Sequence, residues 1–312
     1  MTRGPGRPRR GVALVEALLG ALLGAVVLAG AVDAVVRVMR AGREHDARAA
    51  ARAQLEQAAT ALVADLRPIA TAAVGDDPAD LRTVADTAVE LSATVGGGVA
   101  CAVAPVAGAG SAIDVAPVPD LAGAPALAWW SAPPRAGDVV FVHDDAGTPS
   151  AADDRWMVRT LRVVSEGTTF CRTGAFAAAA AAGNRAESTR LRLTLDPPVL
   201  AATVGAGAPV RVARRRRYSL YRAADGWQLG VRDWDGSDWE VIQPLAGPFA
   251  APNDGGLRLE AVDASDAPVQ GSPPSRPVAE LRVLLRAPCS ARDPRLRCVD
   301  SVVAVVRPRG GR

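Results

Sequence analysis

The hydrophobic pattern changes character twice along the chain. From Val12 to Val32 every residue except Glu16 is apolar or glycine, a run of 21 residues. As a helix, that length spans the hydrocarbon core of a bilayer. Beyond Val32 the apolar residues separate. Val35, Val38, Met39, Leu55, Ala58, Ala59, Leu62, Val63 and Leu66 recur at three- and four-residue steps, with Arg43, Glu44, Arg48, Arg52, Glu56 and Asp65 between them. This spacing predicts that the helix continues with one apolar stripe, in a segment rich in good helix formers. Pro68 stops it, because proline lacks the amide proton and clashes with the preceding turn. Val12 to Arg67 is 56 residues, about 84 Å of helix at the standard rise.

After Pro68 the texture becomes short apolar runs bounded by Gly, Pro, Asp and Ser. Val89–Val95 alternates weakly. Asp138–His143, Trp156–Val164, Leu191–Leu195, Val210–Val212, Tyr218–Arg222, Trp227–Arg232, Trp239–Gln243, Leu257–Val262, Val278–Arg286 and Ser301–Arg307 read as strands. Arg alternates with aliphatic residues in Leu191-Arg192-Leu193, Leu257-Arg258-Leu259 and Leu281-Arg282-Val283. That period of two gives one buried and one wetted face. The short turns favour antiparallel pairing. The expected fold class is α+β: a long N-terminal helix followed by an antiparallel β-rich domain over residues 68–312. Residues 104–136 and 265–277, rich in Pro and small residues, read as long loops, and Phe176–Gly183 as a low-complexity segment.

The start of the chain narrows the meaning of the apolar run. Residues 1–10 carry four Arg and no acid, which predicts a cytoplasmic N-terminus. Three readings compete: a conventional signal peptide cleaved near Ala31, a plain membrane anchor, and a short leader clipped ahead of a retained helix. Glu16 separates them. A carboxylate at mid-bilayer costs about 2.5–3.5 kcal/mol on insertion scales, and such residues are usually functional. A signal peptide gains nothing from one.

The stretch Gly11-Val12-Ala13-Leu14-Val15-Glu16 resembles the processing site of type IV prepilins, in which a Gly precedes the cut and a Glu is the fifth residue of the mature chain. Gly11, Leu14, Val15 and Glu16 match that pattern; Val12 and Ala13 depart from the usual Phe-Thr. The resemblance implies a basic leader over 1–11, cleavage between Gly11 and Val12 by a prepilin peptidase, and methylation of the Val12 amine. It further implies a retained helix over 12–67, membrane-spanning at about 12–32, in a single-pass inner-membrane protein that later joins a filament. Glu16 would pair with the N-terminal amine of a neighbouring subunit and set assembly register. Gly20 and Gly24, one helical turn apart, would allow close helix packing. Tyr218-Ser219-Leu220-Tyr221-Arg222, then Trp227–Arg232, then a turn at Gln243-Pro244-Leu245-Ala246, and the closing Val302–Arg307 strand are similar to PilW-like minor pilins and J-type pseudopilins of type II secretion. Residues 68–209 resemble no family. The implied partners are other pilins or pseudopilins, reached through the N-terminal helix. The alternative is a secreted or periplasmic β-rich binding protein.

Composition adds little that competes with this reading. Net charge is +3 and all 36 basic residues are Arg. With only two His, His45 and His143, and four Cys, the chain is thinly supplied for metal or acid–base chemistry. Cys289 and Cys298, with eight residues between them and flanked by two strands, would close a hairpin loop, stabilising by about 2–3 kcal/mol on a chain-entropy estimate. Cys101 and Cys171 remain as a second pair, in a compartment that export makes oxidising. No C-x-x-C spacing points to zinc. Arg214-Arg215-Arg216-Arg217 is the densest charge run. It contacts phosphates on one reading and alternates on a wetted strand on the favoured one, so nucleic acid is not expected as a partner. Asp144, Asp145, Asp153 and Asp154 lack calcium-loop spacing and read as loop caps. Asp233–Asp238 reads as a turn with Gly236 at its tip. His143 beside Asp144 and Asp145 is the one catalytic-looking cluster, and no nucleophile or phosphate-loop motif accompanies it. An enzyme, a cofactor and a metal are not expected.

Overall fold

The computed structural model describes residues 10–70, 80–106, 110–115, 129–148, 150, 152–167, 169–171, 190–199, 202, 204–288 and 301–308. The chain divides into two compact units, residues 1–51 and 52–312. One helix, α1 (Arg10–Leu66), supplies all described residues of the first unit and the opening of the second. The fold class is the expected α+β.

In the first unit the helix is bare, and from Leu14 to Val32 it is apolar except for Glu16. Leu14, Leu18, Leu22, Val27 and their neighbours through Val32 are all exposed, and the helix is long and apolar enough to cross a membrane. The exposed Arg37–Asp33 pair marks the first polar turn.

In the second unit the predicted stripe is the buried one. Leu55, Ala58, Ala59, Leu62 and Leu66 are buried, and Ile69 joins them just past the end of the helix. The helix stops at Leu66, with the amide of Arg67 bonded to the carbonyl of Val63 at 2.9 Å, ahead of Pro68.

The strands follow in chain order: β1 (Leu81–Ala85), β2 (Ala88–Val106), β3 (Gly110–Val115), β4 (Trp129–Trp130), β5 (Val139–Asp144), β6 (Arg155–Gly167), β7 (Arg190–Asp196), β8 (Pro209–Ala223), β9 (Gly226–Asp233), β10 (Gln243–Phe249), β11 (Leu257–Val262), β12 (Glu280–Arg286) and β13 (Ser301–Val306). All described pairings are antiparallel. The large sheet runs β1-β2-β3-β7-β6-β5-β8-β9-β10, and β2 also pairs with β8. That extra ladder closes a ring of six strands, β2-β3-β7-β6-β5-β8. Its interior is aliphatic: Val95, Ala100, Ile113, Val140, Val142, Leu161, Leu193, Leu195, Val210 and Val212 form one buried cluster with neighbouring Val and Met residues.

Two strands belong to both parts. The N-terminal half of β2 and the C-terminal half of β8 lie in an open sheet with β1, β9 and β10, while their other halves enter the barrel. The change occurs at Gly96-Gly97-Gly98, next to a register shift between Thr94 and Gly96. Glycine weakens a flat strand but permits a bend and a close approach. Here the Trp130 ring lies where a Gly96 Cβ would stand. A separate three-stranded sheet, β11-β12-β13, pairs in register over six residues at each junction.

Three expectations need correction. Residues 104–136 are not one loop, since β2 extends to Val106 and β3 and β4 lie within the span. Val210–Val212 and Tyr218–Arg222 are parts of one 15-residue strand, β8. Trp239–Gln243 is not a strand: Trp239 makes a single bridge to Trp234, and Pro244-Leu245-Ala246 lies inside β10 instead of forming a turn. β10 ends the large sheet's order, where a proline without an N–H does little harm.

Leu62→Ala should destabilise the second unit by about 2–5 kcal/mol, because it opens a cavity under the sheet. Leu22→Ala, on the bare stretch, should leave the same transition unmoved. Denaturant unfolding of the detergent-solubilised chain followed by tryptophan fluorescence measures both; equal shifts would contradict the assigned core.

Candidate functional site

The sequence-predicted processing and assembly residues fall at one end of one helix. The Gly11–Val12 bond lies in the first turn of α1, which begins at Arg10. Leu14 is 66% exposed, and Glu16 is exposed as well. A Cβ built at Gly20 or Gly24 would meet no atom within 4 Å. These glycines sit one turn apart, about 6 Å along the axis, so their face offers a flat path to another helix. Glu16 is the one charged side chain between Leu14 and Val32. A carboxylate so placed has aliphatic neighbours on its own helix and requires a cation from elsewhere once water is excluded.

What the second unit supplies is a firm seat for the helix end. Asp65 accepts hydrogen bonds from Arg216 Nη1 at 2.6 Å and from the hydroxyl of Tyr218, both on β8. Arg216 Nε also donates to Asp233 on β9 at 2.8 Å. Burial pushes the Tyr218 phenol well up, and the Asp65 charge adds to the effect. The phenol therefore stays protonated and donates. Burial alone would weaken the Arg216 charge, but the hydrogen bond with Asp233, together with Tyr218 and Asp65, raises its pKa. Just past the helix, the amide of Asp80 donates to the carbonyl of Ala70, the amide of Ala70 donates to the Asp80 carboxylate, and that carboxylate holds Arg211 of β8 with both oxygens, at 2.7 and 3.1 Å.

The Arg214–Arg217 run resolves into separate roles. Arg214 is buried and forks onto Asp138 at 2.8 and 2.9 Å. Arg215 bonds Glu90 and lies against the rings of Trp234 and Trp239, 4.8 and 5.0 Å from their centroids. Arg216 joins the helix seat. Arg217 is exposed. The strand therefore does not present four aligned cations.

The acidic loop is occupied by its own chain. Asp144 is fully buried, accepting from the amide of Ala146 and from Arg155. Asp145 caps Gly147, and Asp153 takes the Thr148 hydroxyl. His143 lies 3.6 Å from Asp154 and edge-on to Trp156. Among the described residues, no three His, Cys, Asp or Glu side chains gather as metal ligands. Asp235 accepts the amides of Ser237 and Asp238, each at 2.7 Å, which makes the expected turn with Gly236 at φ 105°.

Cys101 on β2 and Cys171, beyond β6, form a disulfide with Cα atoms 5.4 Å apart. Beside it Arg190 donates to the carbonyl of Phe170, and Arg192 stacks on the Phe170 ring while gripping the buried Asp114 with two bonds. Cys289 and Cys298 lie outside the described residues.

Sequence reasoning missed these buried carboxylates. Asp80, Asp114, Asp138 and Asp144 are each at most 3% exposed, and each is met by an Arg. The available signal was the number of Arg at strand positions, which buried Asp can neutralise. Removing one partner of a buried pair typically costs about 3–5 kcal/mol, because the other charge is stranded.

The Tyr218 shift gives the protein an alkaline signature. A folded-state pKa above the unfolded value of about 10 means stability is intact below that pH and falls as pH rises beyond it. With no Lys in the chain, little else titrates there. The denaturant midpoint should drop between pH 9 and pH 11 by the phenol's ionisation in the unfolded chain, and Tyr218→Phe should flatten that slope. An unchanged slope in the variant would show that Tyr218 is not the group responsible.

No family model matches the chain, and no curated protein or solved structure is similar to it.

Proposed function

We propose that the chain is a structural minor pilin or pseudopilin: a filament subunit of a type IV pilus or a type II secretion system, anchored first in the inner membrane. The observation that carries this reading is the uninterrupted helix from Arg10 to Leu66. Its first part is bare and apolar except for Glu16, and its last part is the buried stripe of a β domain.

The mechanism follows from that division of labour. Cleavage after Gly11 frees the Val12 amine, which is methylated while the apolar helix remains in the membrane. On assembly, helices of neighbouring subunits replace lipid around Leu14–Val32, with the small residues Gly20 and Gly24 permitting close approach. Glu16 meets the cationic N-terminus of a neighbour and selects one axial offset, since any other leaves a carboxylate unpaired among aliphatic side chains. The second unit is held to its own stretch of the helix by the buried residues Leu55, Leu62 and Leu66.

Mass spectrometry of the protein isolated from membranes should find Val12 as the first residue, with or without added methyl groups. A mature chain starting at Val32 would replace this reading with that of a secreted β-rich protein. Glu16→Ala should leave cleavage intact and abolish incorporation into filaments; normal incorporation would remove the register mechanism.

A further inference from the structure

The open sheet formed by β1, β2, β8 and β9 has two faces. One carries Tyr218, Leu91 and Leu229 and is buried with the helix stripe. The other is cationic. Arg217 on β8 stands directly opposite Arg232 on β9, and Arg215 stands two residues along from Arg217 on the same side. Arg82 of β1 joins them by bonding Ser92, the β2 partner of Arg215, at 3.1 Å. The one carboxylate on this face of the four strands, among the described residues, is Glu90 of β2; it stands opposite Arg217 but is bonded to Arg215.

This arrangement is unfavourable for the isolated domain. Like charges directly opposite on paired strands have Cβ atoms about 4.5–5.5 Å apart and destabilise the pair. Among the described residues Arg217 and Arg232 have no hydrogen-bond or ion-pair partner, and the Arg232 Nε is buried without an acceptor. Burial, and then the repulsion of Arg215, lowers the pKa of Arg82. Elsewhere in the unit Arg211, Arg214 and Arg216 each meet a carboxylate. Arg159 and Arg190, whose Nε atoms are likewise buried without an acceptor, donate through their other nitrogens to backbone carbonyls. Among the described residues Arg217 and Arg232 do neither.

We propose that this face docks an acidic segment of a partner protein, with Arg217 and Arg232 as its paired anchors. Charge complementarity identifies the occupant. An unpartnered buried Nε and two facing guanidinium groups call for carboxylates, each able to accept two N–H bonds in a planar fork. Nucleic acid fits less well. Its bases require free aromatic rings, whereas a guanidinium already lies against both Trp234 and Trp239. Tyr221 and Ile242 likewise crowd each other over Gly230.

The test uses the full chain in detergent and a fluorescent ten-residue polyglutamate peptide, with a single-stranded oligothymidylate of equal charge alongside. The peptide should bind saturably and more tightly than the oligonucleotide, and binding should weaken as salt rises. Arg217→Ala with Arg232→Ala should weaken it by about tenfold or more. Arg258→Ala with Arg307→Ala, on the three-stranded sheet, should change it less than about twofold. The Arg217/Arg232 variant should melt at or above the parent temperature, since it removes a like-charge pair. A destabilised variant would instead mark the two residues as structural and overturn the proposal. So would absence of peptide binding, equal losses in both double variants, or preference for the oligonucleotide.

Discussion

The ladder between β2 and β8 is the constraint on which the second unit depends. It runs from the Ala88–Ser219 pair to the Val99–Pro209 pair. At one end it lies beneath the helix stripe, and at the other it closes the barrel. Without it the six-strand ring opens, and the sheet receiving Leu55, Leu62 and Leu66 loses its middle. Its polar groups are arranged accordingly. Arg211, Arg214 and Arg216 leave β8 to meet Asp80, Asp138 and Asp65, which come from the segment after the helix, the residue just before β5 and the helix itself. Three elements distant in sequence are thereby referred to one strand. Bidentate Arg geometry fixes orientation as well as contact, which a lysine would not do.

That design explains which features could be read in advance. The helix was legible because both of its signals are local: an unbroken apolar run, then a three-four spacing ended by Pro68. From Leu55 to Leu66 the buried stripe fell where the spacing put it, but Val35, Val38 and Met39, which the spacing placed in the same stripe, are exposed. Strands with strict alternation, such as Leu257–Val262 with its alternating burial, were legible for the same reason. The barrel was not. Closure depends on which strand pairs with which, and the decisive pairing joins residues more than 100 positions apart. The weakly alternating run Val89–Val95 stops short of Gly96–Gly98, whereas in the structure the strand continues through those glycines, which are the bend that lets it serve two sheets.

The Arg214–Arg217 run was legible as part of a strand but not as a set of contacts, and the expected alternation of solvent-facing members fails, since only Arg217 is exposed. In sequence, four Arg side chains look like a surface feature. In the structure Asp138, Asp65, Asp233 and Glu90 take up three of them, at separations of up to 151 residues. No local rule reveals such partners. The candidate assembly segment is the opposite case. Gly11, Leu14, Glu16, Gly20 and Gly24 lie within 14 consecutive residues, so everything that defines the segment is contained in its own sequence.

Magnitudes decide what the bare helix implies. Between Leu14 and Val32, ten Leu and Val side chains are each more than half exposed. Covering them is worth about 1.5–3 kcal/mol apiece when complete, a sum of order 15–30 kcal/mol. That is at least as large as the net stability of a typical domain, about 5–15 kcal/mol. The segment therefore belongs with lipid or with other helices, and a single carboxylate does not reverse this. The insertion penalty of Glu16, about 2.5–3.5 kcal/mol, is several-fold smaller than the gain. Aliphatic burial is nearly indifferent to sliding one helix along another, because each Leu finds an equivalent neighbour a turn away. A buried carboxylate is not indifferent, because it is stable only where a cation meets it. On the proposed assembly the apolar residues would account for the strength of association and Glu16 for its geometry, which is why one polar residue in a run of 21 carries more information about the segment than the other twenty.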